Sequence, residues 1–374
     1  LEKLYIDGFR NYNRQQIKFH PQLNIILGNN AQGKTNLLES IFYLSVTRSF
    51  RTRKDRELAN WQGDHFFLKG EFYKDDVRQV AQISYQHNNQ LKVYKNNNSI
   101  NRYDYIYLFP VVVFSPDDIM IIREGPSIRR RFLNLEASRL NVIYLNELKD
   151  FQKVLAHRNS LLKDKTNFYR IDERIAPWDQ NLVKLGVRLI KARIKLVEEL
   201  EKKASFFFEK MTDSNETLTL KYKSTLPIQA GTEDLEKAYI EGLLHKRREE
   251  LKRGSTLLGP HLDDLQISIN KFDARHYSSQ GQKRAATLAL KMAEVSILYN
   301  KNNFLPIILL DDVFSELDQQ RSYHLLKFLQ DHAGQCFLSS ASDVSNIIYQ
   351  LNRGCKLLTV SEGKIVNEEI RSGA

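Results

Sequence analysis

The sequence predicts an α/β protein in which a mixed sheet is built from both ends of the chain and a helical insertion separates them. Strand patterns fill the first 115 residues and return after residue 254, whereas the segment between them has helical periodicity. An apolar strand near the N-terminus also leads into a glycine-rich loop and a helix, as at the start of an α/β unit. We therefore predict one discontinuous domain formed by residues 1–115 and 254–374, with a helical insertion at residues 116–253.

The individual elements follow from these patterns in chain order. Strands are predicted at residues 4–6, 16–19, 24–27 and 108–116, and an antiparallel patch at 64–94. Helices are predicted over residues 33–45, 126–165, 178–211 and 232–253. Strands return at 264–269, 305–311, 335–339 and 356–360 with helices between them, which favours a partly parallel sheet. No heptad register persists for many turns, so we predict no long coiled-coil arm.

The composition favours a cytoplasmic protein with a polyanionic partner. The 374 residues include 56 Lys and Arg against 45 Asp and Glu, a formal net charge of +11. This balance favours nucleic acid, although other basic soluble proteins share it. No apolar stretch reaches the roughly 20 residues of a membrane span, and the N-terminal residues do not resemble a signal peptide. Cys336 and Cys355 form no Cys-x-x-Cys pair, which favours buried thiols in a reducing compartment.

A phosphate-binding loop is predicted at residues 28–35. The segment Gly28-Asn29-Asn30-Ala31-Gln32-Gly33-Lys34-Thr35 matches G-x-x-x-x-G-K-[ST] at every fixed position. Gly28 and Gly33 allow the backbone to turn its N–H groups towards phosphate oxygens, and the helix that follows favours the same anion. We predict that Lys34 reaches the β- and γ-phosphates of ATP and that the Thr35 hydroxyl binds Mg²⁺.

An apolar strand that ends in two acids, residues 306–312, has the form of a Walker B segment. We expect Asp311 to hold Mg²⁺ directly or through water. Asp312 is placed to orient or deprotonate the attacking water, so Asp312 and Lys34 are the candidate catalytic residues. Many buried strands end in a capping acid, and this segment therefore gains its meaning from the phosphate loop.

A second anion-binding helix start is predicted at Ser279, Gln280, Gly281 and Gln282. A serine hydroxyl and backbone N–H groups at a helix N-terminus can bind an anion, although an ordinary helix cap is the alternative interpretation. One ATP molecule does not need two phosphate-reading helix starts from the same chain. We therefore predict an ATP-dependent homodimer in which each chain caps the nucleotide of the other.

The order of these motifs resembles that of the ABC-type ATPases and, within them, the SMC-related branch that acts on DNA. Additional segments carry the resemblance: Gly8-Phe9-Arg10-Asn11-Tyr12, Pro116-Asp117-Asp118, Gly125-Pro126, residues 129–134 and residues 310–318. The resemblance implies an ABC-type ATPase head in which Ser279–Gln282 is a signature motif acting in trans. It also implies that Ser315 and Asp318 are D-loop residues.

The resemblance further implies what the protein does. It implies a slow ATPase whose ATP-driven dimer clamps duplex DNA near single-strand gaps and supports RecA loading with RecO and RecR. Two departures bear on the rate of hydrolysis rather than on ATP binding. Transporter-like relatives have Glu at the position of Asp312, and they have a His after the next strand, where this chain continues Ser339-Ser340-Ala341-Ser342.

A basic stripe is the main candidate for DNA contact. Lys184, Arg188, Lys191 and Lys195 recur at helical spacing beside an apolar face, so they could follow a phosphate backbone. Arg129 and Arg130 lie near a helix start, where an anion is needed to offset the helix dipole; Glu124 or Asp118 could supply it, as could DNA. A solvated surface is the alternative interpretation of the stripe.

Two other function classes share the phosphate loop. A metabolic kinase would leave the segments at 279–282 and 315–318 unexplained. A transporter ATPase subunit is disfavoured by the missing His and by the helical insertion. An ATP-dependent DNA-binding protein accounts for more of the sequence than either alternative.

Overall fold

The computed structural model describes the chain except for residues 53, 61–62, 87–89, 106–107, 165–169, 213–215, 228–234, 303–304, 342–343, 345–349, 352 and 372–374. The chain forms two compact units. The terminal unit consists of Leu1–Asp118 and Glu294–Ala374, and the central unit of Ile119–Ala293.

The elements confirm the predicted α/β class. The strands are β1 (Lys3–Asp7), β2 (Gln15–Lys18), β3 (Leu23–Leu27), β4 (Phe66–Lys74), β5 (Val77–Gln86), β6 (Gln90–Lys95), β7 (Asn98–Ile100), β8 (Val111–Phe114), β9 (Leu218–Lys223), β10 (Asp264–Ile269), β11 (Phe272–Asp273), β12 (Ile307–Asp311), β13 (Cys336–Ser340), β14 (Cys355–Ser361) and β15 (Lys364–Arg371). The helices are α1 (Lys34–Val46), α2 (Arg102–Tyr105), α3 (Met120–Arg123), α4 (Pro126–Leu140), α5 (Val142–Lys163), α6 (Ile171–Met211), α7 (Leu235–Arg253), α8 (Ala274–Tyr277), α9 (Gln280–Asn302) and α10 (Gln319–His332).

The first sheet of the terminal unit has the order β15-β14-β3-β13-β12-β8. Its strands are parallel except for β15, which pairs antiparallel with β14 at one edge. The strands β3, β12 and β13 are apolar and buried almost throughout, as expected for a parallel sheet covered on both faces. Parallel pairing brings the carboxyl ends of these strands to one edge, where Asp311 is in register with Ser339 and Ser339 with Ile26.

The second sheet of the terminal unit is antiparallel, with the order β2-β1-β4-β5-β6-β7. Two of its hairpins turn through adjacent residues with positive φ, Asp75-Asp76 and Asn96-Asn97, as type I′ turns require. Helix α1 contacts strands of both sheets, and almost all of its residues are buried. The hydrophobic core therefore surrounds the helix that follows the phosphate loop, which fixes the position of that loop.

The central unit contains helices α3 to α8 and a small antiparallel sheet with the order β11-β10-β9. The helical stretch predicted at 126–165 is interrupted at Asn141, whose side chain accepts a hydrogen bond from the Ile143 N–H at the start of α5. Helix α6 begins at Ile171 and extends for 41 residues. The predicted start of the helix at 232–253 falls on residues outside the described part of the chain, which resumes at Leu235.

The limits of the central unit differ from those of the predicted insertion. The insertion was predicted to end at residue 253, whereas the central unit continues to Ala293. The strand predicted at 264–269 does not join the parallel sheet, because β10 pairs with β9 from Asp264↔Lys223 to Ile269↔Leu218. Strand β9 was not predicted from the sequence, and without this partner the strand pattern at 264–269 favoured the terminal sheet.

Buried arginines organise the polar interior of the central unit. Arg193 is 2 % exposed and donates hydrogen bonds to the Pro260 carbonyl at 2.6 Å and to Asn134 Oδ1 at 2.7 Å. Arg158 is fully buried and pairs with Glu250 at 2.7 Å and Asp179 at 2.6 Å. Removing one partner of such a pair would leave a buried charge uncompensated, which costs about 3–5 kcal/mol.

The two cysteines are buried thiols, as predicted. Cys336 on β13 and Cys355 on β14 are both in register with Leu23, on opposite sides of β3. Two inter-strand spacings of about 4.8 Å separate them, beyond the reach of a disulfide. Burial raises the pKa of the Cys336 thiol to about 12. Among the described residues, no helix combines the length and apolar character needed to cross a membrane.

Candidate nucleotide-binding site

The phosphate loop joins the carboxyl end of β3 to the N-terminus of α1, and its glycines are required by its shape. Gly28 has φ +153°, and a Cβ atom there would lie 2.4 Å from the Val360 carbonyl oxygen. Gly33 has φ +118°, and a Cβ atom there would lie 2.8 Å from Asn11 Nδ2. Both positions combine a backbone conformation that favours glycine with close neighbours. The predicted loop conformation therefore has a local steric cause.

The Lys34 side chain folds back into this loop. Its ammonium group donates hydrogen bonds to the carbonyl oxygens of Gly28 at 2.6 Å and Asn29 at 3.0 Å. Burial lowers the pKa of Lys34, and the carboxylates of Asp312 and Asp311 oppose this shift. The N–H groups in the first turn of α1 have no partner within the helix, so they and the ammonium group form a cradle for an anion.

Thr35, Asp311 and Ser339 form a cluster beside the cradle. The Thr35 and Ser339 hydroxyls donate to Asp311 Oδ1 at 2.8 and 2.9 Å. Asp311 is 7 % exposed, and burial raises its pKa while the two hydroxyl hydrogen bonds oppose the shift. The structure thus brings together Lys34, Thr35 and Asp311, although 276 positions separate the last two.

The donor set fits Mg²⁺. Thr35 and Asp311 present one hydroxyl and one carboxylate, both hard oxygen ligands of the kind that Mg²⁺ prefers. The carboxylate is buried, so a cation beside it would offset the loss of hydration. Among the described residues, no group of three or more His, Cys, Asp or Glu could hold a metal ion. Thr35 and Asp311 offer two oxygen ligands, and Mg²⁺ usually completes such a site with substrate phosphates and water.

Asp312 follows in a left-handed conformation, with φ 51°. Its N–H donates to Ser339 Oγ at 3.0 Å, so one serine fixes both acids of the strand end. Its carbonyl oxygen accepts a hydrogen bond from the exposed Ser315 hydroxyl at 2.7 Å. Asp318 caps α10 by accepting from the Arg321 N–H at 2.9 Å. The predicted D-loop residues thus hold the turn that follows the Walker B strand.

The segment Gly8–Tyr12, which the sequence analysis used only for the family resemblance, supports the phosphate loop. Asn11 Nδ2 donates to the Gln32 carbonyl at 3.0 Å, and the Tyr12 hydroxyl donates to the Gly33 carbonyl at 3.1 Å. The turn between β14 and β15 closes on the same loop, because the Gly363 N–H donates to the Gln32 carbonyl at 2.9 Å. Sequence reasoning assigned no role to these contacts, although the side-chain amide and hydroxyl could have suggested support of a neighbouring loop.

A buried carboxylate anchors the outer side of α1. Glu39 is fully buried and accepts two hydrogen bonds from Arg10, both at 2.9 Å. Arg51 also contacts Glu39 at 3.3 Å and donates to Asn36 Oδ1 at 2.8 Å. Arg10 thus connects α1 to the segment Gly8–Tyr12 and, through the Glu57 carbonyl at 2.7 Å, to the segment that follows the helix, to which Arg51 also belongs.

The predicted signature residues lie in the central unit, at the start of α9. The Gln282 N–H donates to Ser279 Oγ at 3.2 Å, and the Ser279 N–H donates to Gln282 Oε1 at 2.7 Å. These two reciprocal hydrogen bonds form a capping box. The contacts within the chain are therefore those of an ordinary helix cap. Capping uses an acceptor lone pair of Ser279, whose hydroxyl hydrogen can still donate to an anion. Ser279 and Gln280 are exposed, while Gly281 and Gln282 are partly buried.

The basic stripe lies on the exposed side of α6. Lys184, Arg188, Lys191 and Lys195 are exposed, and the neighbouring Val183, Val187 and Ile190 are buried. Arg188 pairs with Glu147 of α5 at 2.8 Å, so part of its charge is neutralised within the unit. The three lysines are therefore the stronger candidates for contact with a phosphate backbone.

Arg129 and Arg130 are directed into the central unit. Arg129 is 8 % exposed and makes a bidentate ion pair with Asp264, at 2.7 and 2.8 Å. Arg130 donates to the Asp263 carbonyl at 3.0 Å, and burial lowers the pKa of its guanidinium group. The carboxylate that pairs with Arg129 is Asp264, not the predicted Glu124 or Asp118. Glu124 contacts Arg129 through its backbone carbonyl at 2.7 Å, and Asp118 accepts a hydrogen bond from the Ser115 N–H. Burial and pairing argue against the DNA contact predicted for both residues.

The fold and the site define a class of protein. A phosphate loop after β3, an acid pair at the end of β12 and an antiparallel sheet beside the parallel one characterise the head of an ABC-type ATPase. Residues 1–355 match the protein family described as RecF/RecN/SMC N terminal domain. The solved Smc head bound to the C-winged helix domain of ScpA matches with a TM-score of 0.55 at 14 % identity, over 99 % of this chain and 97 % of that one. This likeness concerns the fold alone.

Closer relatives specify the branch. The chain is 35 % identical to the DNA replication and repair protein RecF of Ligilactobacillus salivarius, over 98 % of this chain and 97 % of the relative. It is 34 % identical to RecF of Staphylococcus carnosus, over 98 % and 99 % of the two chains. A solved structure of the recombination mediator protein RecF with ATP, in the RecFOR pathway, matches with a TM-score of 0.89 at 34 % identity, over 99 % of each chain. The chain belongs to the RecF family.

Proposed function

We propose that this chain binds ATP with Mg²⁺, forms an ATP-dependent homodimer and in that state binds duplex DNA beside single-strand gaps. The observation that carries the proposal is that Lys34, Thr35 and Asp311 lie together at the phosphate loop. The Thr35 hydroxyl donates a hydrogen bond to Asp311, 276 positions further along the chain, and Lys34 contacts the loop itself. The similarity to RecF over almost the whole chain supports a role in DNA replication and recombinational repair. Such a role places the protein in the cytoplasm.

In the proposed hydrolysis of ATP, each residue of the site has a separate role. Lys34 and the first N–H groups of α1 bind the β- and γ-phosphates, while Thr35 and Asp311 hold Mg²⁺, which neutralises developing charge. Asp312 orients the attacking water or accepts its proton. The aspartate is one methylene shorter than the glutamate of transporter-like ATPases, and Ser339 occupies the region of their histidine. Both features are consistent with slow hydrolysis that opens the dimer and releases DNA.

The signature residues provide the link between two copies. In this proposal the Ser279 hydroxyl and the N–H groups at the start of α9 bind the γ-phosphate held by the Lys34 of a second copy. Ser315 contacts the Asp312 carbonyl and Asp318 caps the start of α10; in this proposal both would face that copy. Loss of the γ-phosphate removes the shared ligand, so hydrolysis would weaken the dimer.

The lysines of α6 would contact the phosphate backbone of DNA, and this contact carries no base specificity. The proposed recognition is therefore of DNA structure rather than of sequence. We propose RecR, together with RecO, as protein partners, and support of RecA loading at the gap as the outcome. Net charge favours the DNA part of this assignment, since the chain carries +11.

Equilibrium binding and sedimentation test the proposal together. The wild-type chain should bind a fluorescent ATP analogue, become dimeric with a non-hydrolysable analogue and bind gapped DNA more tightly in that state. Lys34→Ala should weaken nucleotide binding roughly tenfold to hundredfold, because it removes a buried, charge-assisted hydrogen bond to phosphate. Lys92→Ala, an exposed lysine on β6, is the matched control and should behave like the wild type. A wild-type chain that stays monomeric with every nucleotide would refute the proposal.

A further inference from the structure

Two exposed aromatic side chains lie directly before the signature residues. Phe272 on β11 is 63 % exposed and Tyr277 at the end of α8 is 75 % exposed. Their ring centroids are 6.1 Å apart, so the two rings form one surface. We call Phe272, Tyr277 and the adjoining Arg275 the aromatic face. Tyr277 precedes Ser279 by two positions, which makes this face continuous with the proposed signature contact.

The aromatic face is held in place by its own backbone. The turn between β10 and β11 uses Asn270 and Lys271, with φ 51° and 70°, so Phe272 is set at the end of a tight hairpin. Asp273 then caps α8 by accepting from the Arg275 N–H at 2.9 Å and the His276 N–H at 3.3 Å. A surface fixed in this way loses little conformational entropy when a partner binds.

Further contacts tie the face to the start of α9. Arg275 Nε donates to the Arg123 carbonyl at 3.0 Å, and Lys283 Nζ donates to the Arg275 carbonyl at 2.8 Å. The Arg123 side chain in turn contacts Gln280. The aromatic face and the signature residues therefore move as one body within the central unit.

The charges around the two candidate surfaces are opposite in sign. The cationic side chains around the aromatic face are Arg123, Lys271, Arg275 and Lys283. Of the nearby acids, Asp273 is used as a helix cap and Glu216 contacts Gln282. The acidic side chains on the segments that follow β12 and β14 are Asp312, Glu316, Asp318 and Glu362. Asp318 forms an ion pair with Arg321, and a bound triphosphate would add to the negative charge of this region. We call these four residues the acidic rim.

We propose that the aromatic face docks on the acidic rim of a second copy of this chain and so extends the ATP-dependent interface beyond the signature motif. This inference rests on the proposed function, because it requires two copies joined by ATP. Aromatic and arginine side chains carry much of the binding energy in protein interfaces, and complementary charge steers their association. Single-stranded DNA is the competing occupant, since bases also stack on exposed aromatic rings.

The test is sedimentation of the double variant Phe272→Ala/Tyr277→Ala with a non-hydrolysable ATP analogue. Both rings are mostly exposed, so their removal should leave the fold and nucleotide binding by the monomer unchanged. The dimer dissociation constant should rise roughly tenfold to hundredfold, as for truncated interface anchors. Tyr73→Ala, which removes a 57 % exposed ring on β4, is the matched control and should dimerise like the wild type. Arg275→Glu should weaken the dimer as well, because it places an acid against the acidic rim.

The outcomes separate this inference from the function on which it rests. A wild-type dimer that the double variant forms equally well overturns the inference and leaves the proposed function standing. A variant that dimerises normally but loses affinity for single-stranded DNA assigns the aromatic face to DNA and also overturns it. A wild-type chain that never dimerises rejects both proposals.

Discussion

The carboxylate of Asp311 is buried in the site, where burial disfavours its charged form. Its carboxylate lies at the end of β12 with 7 % exposure, and the hydrogen bonds from Thr35 and Ser339 do not cancel the effect of burial on its pKa. Arg51 acts in the same direction as the two hydroxyls, whereas the neighbouring Asp312 opposes them. A cation bound between Thr35 and Asp311 would remove this imbalance. The residue is thus poised for Mg²⁺ at the expense of stability in the nucleotide-free chain.

Asp311→Asn should stabilise the nucleotide-free chain and abolish its response to ATP with Mg²⁺. The raised pKa means that the folded chain binds the Asp311 proton more tightly than the unfolded chain, so stability from this group is present at acidic pH and is lost as the pH rises through the folded pKa. An asparagine keeps the Oδ1 acceptor without the charge. Thermal unfolding at neutral pH should show a higher Tm for the variant, and the difference should shrink towards acidic pH.

Adding ligand should reverse the comparison, because ATP with Mg²⁺ should stabilise the wild type and not the variant. ATP with Mg²⁺ should raise the Tm of the wild type and leave that of Asp311→Asn almost unchanged, because ligand stabilisation requires binding to the folded state. Thr287→Ala, which removes a hydroxyl on α9 outside the site, is the control for removal of a buried polar group. An equal rise in Tm for wild type and Asp311→Asn would remove Asp311 from the metal site.

At the residue scale, the phosphate loop could be predicted from its sequence motif. The side chains that support the loop from distant parts of the chain could not. Gly28, Gly33, Lys34 and Thr35 stand at fixed spacings in one short motif, so the motif alone predicts them. Asn11 reaches Gln32 from 21 positions away, and Ser339 reaches Asp311 from 28 positions away. Such contacts depend on which strands become neighbours, and periodicity alone does not specify that order.

At the scale of elements, the phosphate loop and its helix are supported by two turns and one side-chain network. The segment Gly8–Tyr12 and the β14–β15 turn both bind loop carbonyl groups, and the Glu39 network fixes α1. The central unit shows the converse problem. Its strand β10 was predicted as an element, but its sheet was predicted wrongly because β9 was missed. Short strands carry a weaker pattern than long helices, and only pairing reveals which sheet they join.

The basic side of α6 gives a prediction at this scale. Reversing the charges of Lys184, Lys191 and Lys195 together should weaken binding to gapped duplex DNA and flatten its salt dependence, by roughly one unit of slope for each DNA phosphate that is no longer neutralised. All three side chains are exposed, so the fold should be unaffected. The measurement is DNA affinity by fluorescence anisotropy across a salt series with a non-hydrolysable ATP analogue.

The matched control uses another exposed basic helix of the same unit. Lys237→Glu/Lys252→Glu places acids on α7 and should change DNA affinity little. If this control weakens DNA binding as much as the α6 variant, only net charge matters. If the α6 variant binds DNA normally, the stripe is a solvated surface.

At the scale of the whole molecule, the two candidate phosphate-binding helix starts belong to different units. Lys34 lies in the terminal unit and Ser279 in the central unit, and the chain passes from the central to the terminal unit within α9. Sequence order suggested this separation but placed its boundary 40 residues too early, at 253 instead of 293. The central claim is that one ATP molecule is bound both by Lys34 of one copy and by Ser279 of another copy.

Mixing two defective chains tests that claim most directly. Lys34→Ala removes the phosphate contact but keeps Ser279, and Ser279→Arg blocks the signature turn but keeps Lys34. Each variant alone should remain monomeric with a non-hydrolysable ATP analogue, whereas their mixture should form a heterodimer with one intact composite site and one bound nucleotide. A mixture that stays monomeric while the wild type dimerises, or a Ser279→Arg chain that dimerises alone, would contradict the account.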